Sequence, residues 1–161
     1  MSDIFNLAQA RMRYALDEVE KTRASQQVVW KEYKARCNGL GAEIMQNGLH
    51  QALLFCAAKR KDAARQALLQ QMQDWLLPSA ELGHKYGLPT WLHIAGVLDA
   101  ATLPADDGAP RLLRHLQTQN MQVYMQVTRE ALALCHVLQR FAQAFADAPD
   151  QQAQAAEAAH V

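Results

Sequence analysis

The sequence predicts an all-α protein, a compact bundle of about five to six helices with a long C-terminal helix. Three observations predict it. Ala, Leu, Gln, Glu, Lys and Arg, the good helix formers, dominate the chain. Only 7 Gly and 5 Pro occur in 161 residues, and β-branched residues are scarce. No stretch alternates apolar and polar residues long enough to make a half-buried strand. The length fits one domain, expected over residues 1–148, with 149–161 a disordered tail. Half the residues are hydrophobic, ample for a core. A chain this long buries roughly two-thirds of its unfolded surface.

The first helix is expected from about Asp3 to Thr22. Phe5, Ala8, Met12, Ala15, Leu16 and Val19 recur at three- and four-residue steps, and Ser2 and Asp3 suit the N-cap. A break near Ala24 and Ser25 precedes a second helix starting at Val28-Val29-Trp30. It carries Tyr33, Cys37, Leu40, Ile44 and Met45 and stops at Asn47-Gly48. Gly39 and Gly41 lie inside it and mark a close helix crossing. A third helix covers Leu49 to about Lys59, with Leu49, Ala52, Leu53, Phe55 and Cys56 apolar. Asp62 caps a fourth over Ala63–Leu76, whose stripe is Ala64, Ala67, Leu68, Met72, Trp75 and Leu76, and Pro78 ends it.

Residues 83–89 read as a turn-rich connection, Trp91 to about Ala101 as a short helix, and Thr102–Pro110 as a loop. The last helix is expected from about Arg111 to Ala146, with Leu116, Val123, Val127, Ala131, Leu134, Leu138, Phe141 and Phe145 at a near-3.6 period. The Gln/Ala-rich residues after Pro149 have almost no large apolar side chain to hold them. Short connections favour antiparallel packing in one bundle.

The motif inventory argues against an enzyme. The chain has no phosphate-binding Gly-rich loop, no G-x-S-x-G and no H-E-x-x-H. Its six histidines sit singly, with no i,i+3 or i,i+4 pair on one helix, so no metal site is expected. Adjacent Asp106 and Asp107 read as solvated turn residues. Glu130 and the acids at 17, 18 and 20 do not form a di-iron pattern. Cys135 and His136 point about 100° apart on a helix and cannot act together. Neither a cofactor nor catalytic residues are expected. An enzyme reading would need a polar cluster such as His84, Asp99 and Asp106. Three dispersed cysteines, Cys37, Cys56 and Cys135, make no disulfide framework or C-x-x-C pair. With no signal-peptide pattern and no apolar run of membrane-spanning length, a reducing cytoplasm is the expected compartment.

Charge is informative in its distribution. The chain has 16 Lys/Arg and 16 Asp/Glu. Residues 1–65 hold eleven bases against seven acids, a net of +4, and residues 66–161 hold five against nine, a net of −4. Lys59, Arg60, Lys61 and Arg65 form the densest basic group, and Lys31, Lys34 and Arg36 a second. These seven are the candidate nucleic-acid-binding residues, because clustered cations neutralise phosphates. A solvated helix junction is the plain structural alternative.

Residues 47–55, NGLHQALLF, resemble the "NGLGQALAF" segment of the small helical subunit of type III-B CRISPR (Cmr) effector complexes. Asn47, Gly48, Leu49, Gln51 and Phe55 carry the match. Arg11-Met12-Arg13-Tyr14-Ala15 with Val19 resembles that family's first helix, and Tyr33, Leu40 and Ile44 the helix leading into the turn. Thr128–Leu132 and Leu138–Ala142 resemble its terminal "EAL…WLKRFA" helix. His50 stands in place of the usual second glycine, His136-Val137 in place of the Trp, and Gln139 in place of a Lys. The motif has a structural logic. Gly48 permits a helix reversal at positive φ, Asn47 caps, and Leu49, Leu53 and Phe55 enter the core.

The resemblance implies a non-catalytic subunit. Copies of it stack as a minor filament beside the backbone subunits, forming the groove where target RNA pairs with guide RNA. Its implied partners are the backbone and large subunits, copies of itself, and guide and target RNA, with no membrane. Two alternatives stand beside it: the small subunit of the type III-A (Csm) complex, and a stand-alone helical adaptor or regulator that binds proteins.

Overall fold

The computed structural model describes residues 7–77, 80–86, 111–118 and 120–145. These form seven helices and no strand: α1 (Leu7–Ala24), α2 (Trp30–Asn47), α3 (Leu49–Ala58), α4 (Ala63–Leu76), α5 (Ala80–Tyr86), α6 (Arg111–Thr118) and α7 (Met121–Ala144). The all-α expectation holds among these residues. The expected caps at Ser2 and Asp3, the helix at 91–101, the loop at 102–110 and the tail lie outside them.

The long helix α7 is the spine. Both α1 and α2 pack along it, α3 and α4 close the other side of α2, α5 lies on α1, and α6 lies on α3 and α4. The core is continuous through the bundle, with Tyr14, Tyr33, Leu53, Met72, Trp75 and Leu134 among its fully buried side chains. Gly41 lies at the α2–α7 crossing, where an added Cβ would sit 3.8 Å from the Cβ of Cys135. Gly39 faces only its own helix neighbour Glu43, so one of the two expected crossing glycines serves there.

Several boundaries differ from the sequence pattern. The C-terminal helix begins at Met121, because the Asn120 side chain caps it by accepting the Val123 N–H at 2.9 Å. The preceding segment is a separate helix that buries Leu112, Leu113 and Leu116 against a different part of the bundle. Residues 83–86 belong to α5, not to a turn. Tyr86 docks that helix: its hydroxyl donates to Asp17 Oδ2 at 2.6 Å, and its ring meets Tyr14 edge-on at 5.5 Å. This anchoring outweighs the helix penalty of Gly83. On α1 the inward face is Ala10, Tyr14, Ala15, Val19 and Thr22, and Met12 is 50% exposed. Met45 on α2 is likewise exposed.

A polar chain crosses the core fully satisfied. Tyr33 donates to Gln71 Oε1 at 2.8 Å, Gln71 Nε2 to Thr22 Oγ1 at 2.9 Å, and Thr22 to the Glu18 carbonyl at 2.7 Å. Tyr14 donates to the Gln71 carbonyl at 2.7 Å and stacks on Trp75. Glu130 on α7 joins three helices, accepting both Arg11 Nε and Nη2 from α1, at 2.7 and 2.9 Å, and Trp75 Nε1 from α4 at 2.9 Å.

Candidate nucleic-acid interface

The turn between α3 and α4 concentrates the charge. α3 ends at Ala58, and Lys59, Arg60 and Lys61 follow, all exposed. Asp62 then caps α4 by accepting the Arg65 N–H at 3.1 Å. Among the described residues, Arg60 and Lys61 form no ion pair, and the Lys59 ammonium lies 5.2 Å from the centre of the Phe55 ring.

The other basic residues are placed differently. Arg65 is only 9% exposed. Its two terminal nitrogens each donate to Glu43 at 3.2 Å, its Nε lies 3.5 Å from Asp62 Oδ2, and its guanidinium lies 4.6 Å from the Phe55 centroid. Hydrogen bonds and charge from Glu43 and Cys56 hold its pKa above the ordinary arginine value against the opposing effect of burial. Arg36 donates to Asp62 from Nε at 3.1 Å and pairs with it through Nη2 at 3.0 Å. Arg36 and Arg65 thus tie α2 to the basic turn, with their charge answered by carboxylates. At about 100° per residue, Lys34 lies about 160° around α2 from Arg36, on the side of Gly41 and α7, and Lys31 points away from the core. The seven predicted cations therefore divide into an exposed turn, two structural arginines beneath it, and a pair on another side of α2.

The family-motif residues build the neighbouring helix reversal. Gly48 has φ +83° and ψ 159°, a conformation open essentially to glycine, and its N–H donates to the Ile44 carbonyl at 2.8 Å. Asn47 does not cap α3. Gly48 holds the N-cap position without a side-chain bond, and Tyr124 of α7 supplies the acceptor, taking the His50 N–H at 3.0 Å. The His50 ring meets Gln117 of α6 at 3.3 Å. Leu49 and Leu53 enter the core as expected, but Phe55 is 45% exposed. The buried face of α3 is Leu49, Ala52, Leu53 and Cys56, which places Phe55 about 110° around the helix from its centre. That spacing was the available signal for an outward Phe55. Beside it, Glu43, Asn47, Gln51, Ala52 and Phe55 line a groove of about 530 Å³ between α2 and α3.

The nucleophile inventory is buried. Burial pushes the Cys37 and Cys135 thiols up to about 12 and raises Cys56, which disfavours thiolate formation. Among the described residues, no group of three or more His, Cys, Asp or Glu is placed to hold a metal ion, and no helix is long and apolar enough to cross a membrane. Of the cluster weighed for catalysis, His84 is exposed on α5, and Asp99 and Asp106 lie outside the described residues.

Among the described residues these features define a small all-α bundle with a basic turn beside an open groove. A family model described as CRISPR-associated protein (Cas_Cmr5) matches residues 7–145. The chain belongs to that family, the small subunit of the type III-B CRISPR (Cmr) complex, a structural family not known as catalytic. Membership implies assembly with other Cmr subunits and favours type III-B over the type III-A alternative. No curated protein matches the chain at a significant level.

Proposed function

We propose that this chain is a non-catalytic, cytoplasmic small subunit whose copies stack as a minor filament and help form the groove for guide and target RNA. Sequence is read by base pairing, so such a subunit needs a positive, shape-compatible surface and no base-reading code of its own. The observation that carries this reading is the Lys59–Lys61 turn, exposed and without ion pairs among the described residues. Lys31 and Lys34 supply further cations on α2, while Arg36 and Arg65 position the turn through Asp62. The net −4 of residues 66–161 suits contact with the basic side of the next copy, a head-to-tail and therefore open interface.

Reversing the charge at Lys59, Arg60 and Lys61 tests the reading. RNA affinity of the assembled complex at low salt is expected to fall. Each lost phosphate contact lowers the slope of log affinity against log salt by about 0.7 for a single strand. Unchanged RNA affinity together with unchanged filament assembly would sink it.

A further inference from the structure

The groove between α2 and α3 has a composition that packing alone does not explain. Its walls are the Glu43–Asn47 ridge of α2 and the Gln51–Phe55 ridge of α3, each a pair one helical turn apart. At about 530 Å³ it falls within the size range of small-ligand clefts. Phe55 offers an aromatic surface to solvent. Asn47 and Gln51 are exposed, and among the described residues neither side chain has a hydrogen-bond partner.

We propose that this groove holds the base of one unpaired RNA nucleotide, stacked on Phe55 and hydrogen-bonded along its edge by the Asn47 and Gln51 amides. The inference rests on the RNA reading above and adds a specific subsite to it. An aromatic face takes any base, and a carboxamide offers both donor and acceptor to a base edge. The basic turn begins four residues after Phe55, so the nucleotide's phosphate meets Lys59, Arg60 and Lys61. Arg65 stays in place under the ring, held by Glu43 and Asp62. The Lys59 ammonium has only its contact with the ring among the described residues, so a base can displace it toward the phosphate. Glu43 does not oppose an anion here, because Arg65 meets both of its oxygens. An apolar protein segment fits less well, since it would bury two amides without partners.

The test uses the full chain, alone and reconstituted with its partner Cmr subunits. The probe is single-stranded oligouridine, fluorescein-labelled for anisotropy and thiouridine-substituted for photo-crosslinking. The crosslink is expected at Phe55, with duplex RNA a poor competitor. Phe55→Leu is expected to weaken binding by about 5- to 150-fold, the range for loss of one stacked base. Neutralising Lys59, Arg60 and Lys61 is expected to weaken binding while the crosslink stays at Phe55. If Phe55→Leu does not fold, the exposed Gln51→Ala carries the test, with a smaller loss of affinity expected. RNA bound equally by the Phe55 variant and crosslinked elsewhere overturns the subsite and leaves the RNA reading standing. Loss of co-purification with partner subunits at unchanged RNA affinity assigns the groove to a protein contact and also overturns it. Absence of RNA binding and crosslinking in both preparations removes both readings.

Discussion

The Tyr124 hydroxyl accepts the backbone N–H of His50 at 3.0 Å, so α7 caps α3 from across the bundle. The same hydroxyl lies where a Cβ on Gly48 would come within 3.4 Å. Tyr124→Phe removes the acceptor and is expected to destabilise the protein by about 1 kcal/mol. Gly48→Ala forces a side chain onto φ +83° and is expected to cost about 1–3 kcal/mol. Urea unfolding checks both. Equal midpoints for Gly48→Ala and the parent would contradict the strained-turn account.

Glu130 holds Arg11 and Trp75 at once, with its side chain only 13% exposed. Glu130→Ala leaves a mostly buried guanidinium and an indole N–H without their acceptor. The expected loss is about 3 kcal/mol, measured by chemical denaturation. Arg11→Met, which removes the charge and keeps the stem, should be milder. A Glu130→Ala loss within about 0.5 kcal/mol of zero would show the bridge to be incidental.

Arg65 and its basic neighbours should separate experimentally. Arg65→Ala strands the Glu43 carboxylate and uncovers Phe55, so stability is expected to fall by about 2–4 kcal/mol. Arg60→Ala or Lys61→Ala touches an exposed side chain without an ion pair among the described residues, and its stability effect stays within about 0.5 kcal/mol. RNA affinity should follow the opposite ranking once measured on folded protein. Thermal unfolding beside anisotropy reads both.

Burial raises the carboxyl pKa of Glu18 and of Asp74. In the carboxylate range the folded state therefore holds protons that the unfolded chain has released. This stabilising contribution is complete at acid pH and is lost as pH rises through the folded-state values. Asp74→Asn removes one such group and keeps an oxygen for Gln70, which donates to Asp74 Oδ1 at 2.8 Å. The variant is expected to gain stability relative to the parent as pH rises from about 4 to about 7. Parallel urea-midpoint curves over that interval would rule this out.

Much of the fold was legible locally. The Asp62 cap, the glycine stop at Gly48 and the α4 stripe each follow from residues within a few positions of one another. Where reading along the chain failed, a distant partner decided. Tyr86 made α5 a helix by reaching Asp17 and Tyr14, and the α6 leucines packed away from the α7 axis. The candidate site divides in the same way. Clustered lysines were visible as letters, but the commitment of Arg36 and Arg65 to Asp62 and Glu43 was not, because those contacts span 3 to 26 residues and depend on how α2 meets α4.

By itself the sequence determined helix content, most helix boundaries, the family and the excess of positive charge in the first half, since these depend on composition and short-range spacing. Only the tertiary structure decided which cations stay exposed, that Phe55 faces the groove, and that Tyr124 caps α3. Hydrogen bonds and ion pairs form between side chains that meet in space, and one apolar pattern is compatible with several helix rotations until the neighbouring helices select one.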